Sequence, residues 1–511
     1  MKPAQGRWIL AATILGSAMA FIDSSVVNVA LPVMQKSLGA DVSQTQWIVD
    51  IYLLILSSLM LAGGSLGDRL GRVRIYAAGV AIFAGGSLWC AMAASAAQLI
   101  AARGLQGLGA ALLVPGSLAI ITASFPPESR GKAIGTWSAM TSLAVIAGPL
   151  FGGWLVQSVS WRAVFYINIP LAALTLLVVW RKLPRLDPTD SGPIDWAGTA
   201  LITLALGAAT YSLIEAPGRG WRDLTVAGAA IAAAIAFVLF ILVERKAADP
   251  IVPLGLFRSR AFSGANLLTL FLYGALSAAM FLLPFNLIQV QHYSPAQAGA
   301  AFLPFVVTMS LLSRWSGALA DRIGPRLLLV TGPLIAGLGL ALMGLLPGLG
   351  GSYWTTFFPG ICTLGIGMAI TVAPLTTTVM TAIDDNRYAG AASGINNTVA
   401  RAAGLLAIAL FGAIAVMVFS RDLDARLAAG GVSAEVRQVM RQQSLKLAAA
   451  APPRGADEAT RKKVTVALDE AFLRAFRINL LLAAAIAACS AAGGLVVGAK
   501  PLKKPSMPSR A

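Results

Sequence analysis

The sequence predicts an all-α integral membrane protein: two six-helix bundles with two inserted helices, fourteen transmembrane helices in all. Three observations predict it. The 511-residue chain is 57% hydrophobic and only 12% charged, with a mean hydropathy of +0.76, whereas roughly a quarter of the residues in a soluble domain are charged. Apolar runs of about 20 residues, the length that crosses a bilayer, recur along the whole chain. The stretch GSLGDRLGRVR at Gly64 to Arg74 returns as GALADRIGPR at Gly317 to Arg326. Gly64 answers Gly317, Asp68 answers Asp321, Arg69 answers Arg322 and Gly71 answers Gly324 at one constant offset. The chain therefore reads as two related halves.

The apolar runs start near residues 8, 45, 74, 98, 132, 163, 196, 224, 261, 297, 326, 353, 388 and 476. The first has Lys2 and Arg7 before it and Ala18-Met19-Ala20 within it, which imitates a cleavable signal. It continues to Pro32, however, which is the length of a spanning helix, so segment 1 is expected to stay. Segments 7 and 8, roughly Asp195 to Glu244, have no counterpart in a six-plus-six arrangement and read as an inserted pair. The expected division is residues 1–185 for the first bundle, 186–250 for the pair and its linkers, and 251–511 for the second bundle. Residues 420–477 form a loop between segments 13 and 14. That loop mixes both charge signs around Pro452-Pro453 and suggests short amphipathic helices, either a cap over one mouth or a solvated tether.

An even number of spans puts both termini on one side. With that side taken as the cytoplasm, most Lys and Arg fall in its short connections, while the opposite short connections carry only Lys36, Arg162, Arg219 and Arg222. This is the positive-inside asymmetry, and it places the 420–477 loop on the outer face.

Composition also excludes several classes. The net charge of +17 is scattered over short hinges, without the clustered basic face that nucleic-acid binding needs. Cys90, Cys362 and Cys489 sit singly in apolar segments, and the single His292 lies in VQHYSP without a ligand neighbour, so neither disulfides nor a metal site is expected. There is no GxxxxGK[ST] phosphate loop and no enzyme constellation. No cofactor is expected, and energy for transport would come from an ion gradient.

Polar residues inside the spans are the functional candidates, because a charge in lipid costs several kcal/mol unless it is neutral, paired or wet. Asp23 in segment 1 and Asp50 in segment 2 are such carboxylates, able to exchange a proton for a cation. Asp23 shares a stripe with Val26, Val27 and Ala30, and Ser24 shares another with Asn28; one stripe is expected to face a cavity and the other to pack. Arg103 and Gln106 lie on one face of segment 4, with Asp50 and Asp23 as candidate partners for the guanidinium. Arg401 follows Asn397 by one turn in segment 13. Segment 5 carries Ala144, Gly148 and Gly152 in a small-residue line, with Pro149 and Gly153 beside it, which predicts close helix contact and a local bend.

These motifs resemble the major facilitator superfamily, and within it the fourteen-helix drug:proton antiporters. The resemblance rests on GSLGDRLGRVR between segments 2 and 3; on Arg103, Gln106 and Gly107; on Gly135, Gly148, Pro149, Gly152 and Gly153; on FIDSSVVNVALP with Asp23, Asn28 and Pro32; and on WRAVFYINIP at Trp161 to Pro170. It implies two bundles around a cavity that opens alternately to either side, with proton entry driving efflux. Asp23 and Asp50 become the proton and substrate-cation candidates, with Arg103 tuning the proton step.

Asn28, Gln106, Asn397 and Arg401 are the cavity polar candidates. Phe21, Trp137, Tyr273, Phe281 and Phe285 are the aromatic ones. Some members carry acidic residues in helices 10 and 13, where this chain has Arg314 and Arg401, so lipophilic monocations or amphiphiles fit better than dications. Gly64, Gly67, Asp68, Arg69, Gly71 and Arg72 form a gating hinge on the cytoplasmic rim, with Arg130 as a candidate latch partner. Asp321 and Arg322 form its second copy, where Pro325 replaces Arg72. The expected partners are a small-molecule substrate, protons and membrane lipids, with a monomeric chain and no nucleic acid; any periplasmic adaptor is unidentified. The expected location is a bacterial inner membrane. The alternatives are export of an endogenous metabolite or lipid, and a non-transporting scaffold or sensor that uses the 420–477 loop.

Overall fold

The computed structural model describes residues 3–184, 194–247, 250–382, 389–453 and 455–497. Among them, fourteen helices are long and apolar enough to cross a membrane. They are α1 (Pro3–Leu38), α2 (Val42–Leu70), α3 (Arg72–Met92), α4 (Ala96–Ser124), α5 (Pro127–Ser158), α6 (Ala163–Lys182) and α7 (Trp196–Arg219). The series continues with α8 (Leu224–Lys246), α9 (Arg260–Val290), α10 (Pro295–Ile323), α11 (Pro325–Leu345), α12 (Phe358–Thr381), α13 (Ala389–Ala429) and α14 (Glu458–Val496). The expected linker residues 185–193 and 248–249, the start of segment 13 at 388 and the end of the chain from 498 lie outside the described residues.

Chain contacts divide the protein into two compact units. The first comprises residues 1–251, 277–303 and 404–479, and the second comprises 252–276, 304–403 and 480–511. In the first unit, α2, α3 and α4 pack around Tyr52, Leu56, Tyr76, Val80, Phe83 and Leu113, joined by Ile9, Ala12 and Met19 of α1. Lipid is as apolar as these side chains, so contact here depends on fit and on polar links between helices. Tyr76 Oη donates to the Ala12 carbonyl at 2.7 Å, and Ser17 Oγ donates to Ser117 Oγ at 2.7 Å.

Short connections are fixed by capping. Asp41 accepts from the Gln44 backbone at 2.7 Å while Gln44 Oε1 accepts from the Asp41 N–H, a capping box that starts α2. Asp223 starts α8, and hydrogen bonds from the Thr225 hydroxyl and backbone hold its carboxyl below the usual range. Between α2 and α3 the chain reverses at Gly71, whose φ of 100° lies in the region where a side chain is strained. Gly324, its repeat, has φ of 84° between α10 and α11.

The second unit is joined internally by the same means. Asn396 Nδ2 of α13 donates to Asn266 Oδ1 at 3.1 Å and to Thr269 Oγ1 at 2.7 Å, both on α9. Ser316 Oγ of α10 donates to the Ile370 carbonyl of α12 at 2.9 Å.

The 420–477 stretch departs from expectation. The spans on either side continue through it: α13 runs to Ala429 and α14 begins at Glu458, well before the apolar run near 476. The apolar runs end at the first charges, but here those charges pair between the two helices, which continue through them. Asp422 accepts from Arg426 Nε at 2.5 Å and from Arg474 Nη1 at 2.7 Å, and Arg426 also pairs with Glu470. Between them, the amphipathic helix Ala434–Gln443 is tied back by Arg441 to Asp424 at 2.9 Å. The 3-10 turn Ser444–Ala449 then reaches α1, where Gln35 Nε2 donates to the Lys446 carbonyl at 3.3 Å.

Candidate functional site

Four helices of the first unit bring five polar side chains to the same buried point. Asp23 comes from α1, Ser87 from α3, Arg103 and Gln106 from α4, and Asn168 from α6. Arg103 Nη1 lies 2.5 Å from Asp23 Oδ2, and both side chains are almost wholly withdrawn from solvent. Gln106 Nε2 donates to Asp23 Oδ1 at 3.0 Å and to Ser87 Oγ at 2.7 Å, while its Oε1 accepts from Arg103 Nη1 at 2.7 Å. Asn168 Nδ2 lies 3.2 Å from both Asp23 Oδ1 and Ser87 Oγ. Cys90 Sγ donates to Gln106 Oε1 at 3.3 Å. A buried charge pair is stable only when its remaining donors and acceptors are also met, and this network meets them on three sides of the carboxylate.

Of the two partners the sequence left open for Arg103, the structure selects Asp23. The reason lies in the rotation of α2. Tyr52 and Asp50 are two residues apart and therefore about 200° apart around the helix. Tyr52 faces α4, where its ring lies 4.3 Å from the Arg103 guanidinium carbon, and Arg103 Nε donates to the Ile48 carbonyl at 3.1 Å. Asp50 faces the other way. It is wholly buried, and neither carboxylate oxygen has a hydrogen-bond partner among the described residues. One turn along the same face, Gln46 Nε2 donates to the Ile408 carbonyl of α13 at 2.8 Å. That contact is close because Gly412 leaves room for the amide.

The stripes on α1 are also resolved. Val26, Val27 and Ala30 are buried with Asp23, so this is the packing stripe, whereas Ser24 and Asn28 are half-buried. Asn28 Nδ2 donates to the Ser24 carbonyl at 3.3 Å. Gln106, expected to line a cavity, is instead fully enclosed. The carboxylate it serves lies inside the bundle, and four helices close over it. In the second unit, Asn397 is exposed with Nδ2 on the Ser393 carbonyl at 3.1 Å, and Arg401 is half-buried.

Of the candidate aromatics, Phe21 and Trp137 meet edge to face at 6.5 Å, and Trp137 Nε1 donates to Ser17 Oγ at 3.1 Å. Phe281 and Phe285 are buried and in mutual contact, and Tyr273 is half-buried.

Helix α5 makes its contacts through its small residues. A Cβ on Gly148 would meet the Ser25 side chain, and one on Gly152 would meet Val26, both on α1. On Gly153 it would meet the backbone of Pro295 and Ala296 at the start of α10. Gly299 packs against the Pro149 carbonyl in return. This is the close approach that small residues permit between membrane helices.

At the α2–α3 hinge, the ion pair of Asp68 is with Arg72, one turn on, at 2.6 Å. Arg130, expected as its latch partner, donates Nε to the Phe125 carbonyl at 3.4 Å. Gly71, where the chain reverses, brings Arg72 back onto the end of α2. Gly64 and Gly67 lie on that same end, Gly64 against Pro115. Asp321 and Arg322 in the second copy are exposed, and Pro325 there opens α11 in place of an arginine.

Asn168 and Ser87 carry no charge and are not among the candidates the sequence offers. Asn168 was legible only as an amide in the otherwise apolar run that follows Trp161. Cys90, expected to pack, is buried and also donates a hydrogen bond.

The chain as a whole is similar to known proteins. The chain is 35% identical over 426 residues to the multidrug resistance protein Stp of Mycobacterium tuberculosis (strain CDC 1551 / Oshkosh), covering 82% of this chain and 77% of that protein. It is 34% identical over 407 residues to the tetracenomycin C resistance and export protein of Streptomyces glaucescens, covering 79% of this chain and 75% of that one. Among solved structures it is similar to a bacterial homolog of the human lysosomal transporter Spinster in an inward-facing, occupied conformation. That TM-score is 0.66 at 20% identity, with 99% of this chain and 100% of that chain covered, which bears on the fold alone. The family description Major Facilitator Superfamily matches residues 13–409. With fourteen membrane-length helices among the described residues, the chain is a transporter rather than an enzyme, and it belongs to the major facilitator superfamily.

Proposed function

We propose that this protein exports lipophilic or amphiphilic small molecules, monovalent cationic drugs among them, across a bacterial inner membrane in exchange for protons, by alternating access. The observation that carries the reading is Asp50, a wholly buried carboxylate whose oxygens have no hydrogen-bond partner among the described residues. A bare carboxylate is very costly in such a place, so the group must be neutral when enclosed and can ionise only when water or a cation reaches it. That is the behaviour a proton-for-cation exchanger needs. The resistance and export roles in the names of its relatives support the direction of transport. The sequence has no nucleotide-binding loop to serve as a motor.

In this reading Asp23 and Asp50 couple protons to substrate, and Arg103 and Gln106 hold Asp23. Asn28, Asn397 and Arg401 supply polar groups along the path. The hinge at Gly64 to Arg72, with its copy at Asp321 and Arg322, acts at the cytoplasmic rim. The chain works as a monomer with both termini in the cytoplasm, as two bundles (1–185 and 251–511) joined through the inserted pair (186–250).

The test uses purified protein in liposomes with an imposed pH gradient, with tetraphenylphosphonium and puromycin as probes. Wild type should move the probe against the proton flow, and Asp50→Asn should not. Undiminished gradient-driven transport by Asp50→Asn would overturn the coupling role.

A further inference from the structure

Three stretches of the first unit frame a cavity of about 630 Å³: the last turns of α1, the end of α9 and the turn that follows the amphipathic helix Ala434–Gln443. Side-chain amides tie them together. Gln289 Nε2 of α9 donates to Gln35 Oε1 of α1 at 3.0 Å, and Gln35 Nε2 donates in turn to the Lys446 carbonyl at 3.3 Å. Two local features shape the walls. Asn286–Val290 closes α9 as a π-helical turn, with the Gln291 N–H on the Asn286 carbonyl at 2.9 Å, and His292 follows it in the left-handed region at φ of 58°. Opposite, Ala448–Ala451 presents side chains that end at Cβ, which keeps the space between the three stretches open.

Polarity is graded along this cavity. On α1, Lys36 and Ser37 lie one turn beyond Pro32 and Val33, and past the end of α9 His292 lies beyond Ile288. The apolar residues are thus nearer the middle of the spans and the polar ones nearer their ends, the order of tails and heads in a membrane leaflet. The polar end mainly donates. Lys36 belongs to no ion pair among the described residues. Ser37 Oγ accepts from Trp161 Nε1 at 3.1 Å and keeps its own hydrogen to give. Asp469 of α14 lies near enough to His292 to act on it electrostatically and offsets charge there, so the cation left for a ligand is Lys36. We propose that this cavity binds an amphiphilic anion, its phosphate, carboxylate or sulfonate head on Lys36 and Ser37 and its apolar body along Pro32, Val33, Ile288 and the alanines. An acidic membrane phospholipid and a free acidic amphiphile share that chemistry. The site stands apart from Asp50 and needs neither the cargo nor the proton coupling proposed above.

The test is equilibrium dialysis of the full-length protein in dodecylmaltoside, with uptake by protein-free micelles subtracted. The radiolabelled probes are dihexanoylphosphatidylglycerol, its zwitterionic counterpart dihexanoylphosphatidylcholine, and cholate. An acidic probe should bind saturably and more tightly than the zwitterionic one. Lys36→Gln removes one charge-assisted hydrogen bond and should weaken the acidic probe about tenfold while leaving the zwitterionic one unchanged. Lys36→Arg keeps the charge and should bind close to wild type. Ala449→Phe fills the cavity and should weaken binding with Lys36 still in place. Binding of phosphatidylglycerol without cholate assigns the ligand to the membrane, and cholate without phosphatidylglycerol assigns it to a free amphiphile; either result supports the site. Absence of saturable binding of both acidic probes to wild type would overturn it. So would wild-type affinity for them in a Lys36→Gln protein that elutes as wild type does. Neither outcome touches gradient-driven transport in liposomes, so the export reading stands or falls separately.

Discussion

Arg103 Nη1 and Asp23 Oδ2 are 2.5 Å apart with neither side chain more than 1% exposed, so each charge is the main reason the other can be where it is. Removing one member leaves the other buried and uncompensated, which typically costs about 3–5 kcal/mol. Arg103→Leu and Asp23→Asn should each lower the thermal midpoint in detergent. The combined variant should recover much of the loss, because the pair is then removed whole. Transport in the liposome assay should stay lost in the combined variant. A double-mutant cycle on thermal unfolding reads the coupling, and simple additivity of the two losses would mean that the pair does not act as a unit.

Helix α5 allows a graded test of close approach. A Cβ at Gly148 meets the movable Ser25 side chain, whereas at Gly153 it meets the backbone of Pro295 and Ala296, which cannot turn aside. Gly153→Ala should therefore cost about 1–3 kcal/mol of stability, the usual cost of overpacking, and Gly148→Ala clearly less. Urea-gradient or thermal unfolding of both variants in the same detergent makes the comparison. An equal or reversed order would mean that α5 and the start of α10 separate more easily than their backbone contact suggests.

Much of this architecture was legible in the residues, for physical reasons that differ from place to place. The spans could be found because about 20 apolar residues must cross the bilayer whatever the fold. The hinge repeat could be found because Asp68, Gly71 and their copies recur at a fixed spacing. The partner of Arg103 could not, since choosing between Asp23 and Asp50 requires the rotation of α2, which sequence spacing within one helix does not fix. The length of α14 was hidden for the opposite reason. Its first turns are charged, and their helical state depends on Asp422 of α13 reaching Arg474. Asn168 lay between these cases, visible as a polar residue in an apolar run and meaningless until α6 was set against α1.

The hinge pair Asp68–Arg72 makes a prediction of a different kind. Its side chains are 35% and 22% exposed, so solvent screens it and its contribution to stability should be small, about 0.2–1 kcal/mol. Asp68→Asn should leave the thermal midpoint nearly unchanged. If the hinge acts in gating, the effect should appear in rate: slower gradient-driven turnover of tetraphenylphosphonium in liposomes, with the concentration for half-maximal transport held near wild type. Asp321→Asn should do less, since Pro325 stands where the first copy has its arginine and the carboxylate there is exposed. Initial rates over a range of probe concentrations separate the two parameters. A large rise in the half-maximal concentration at unchanged maximal rate would show instead that Asp68 belongs to substrate binding.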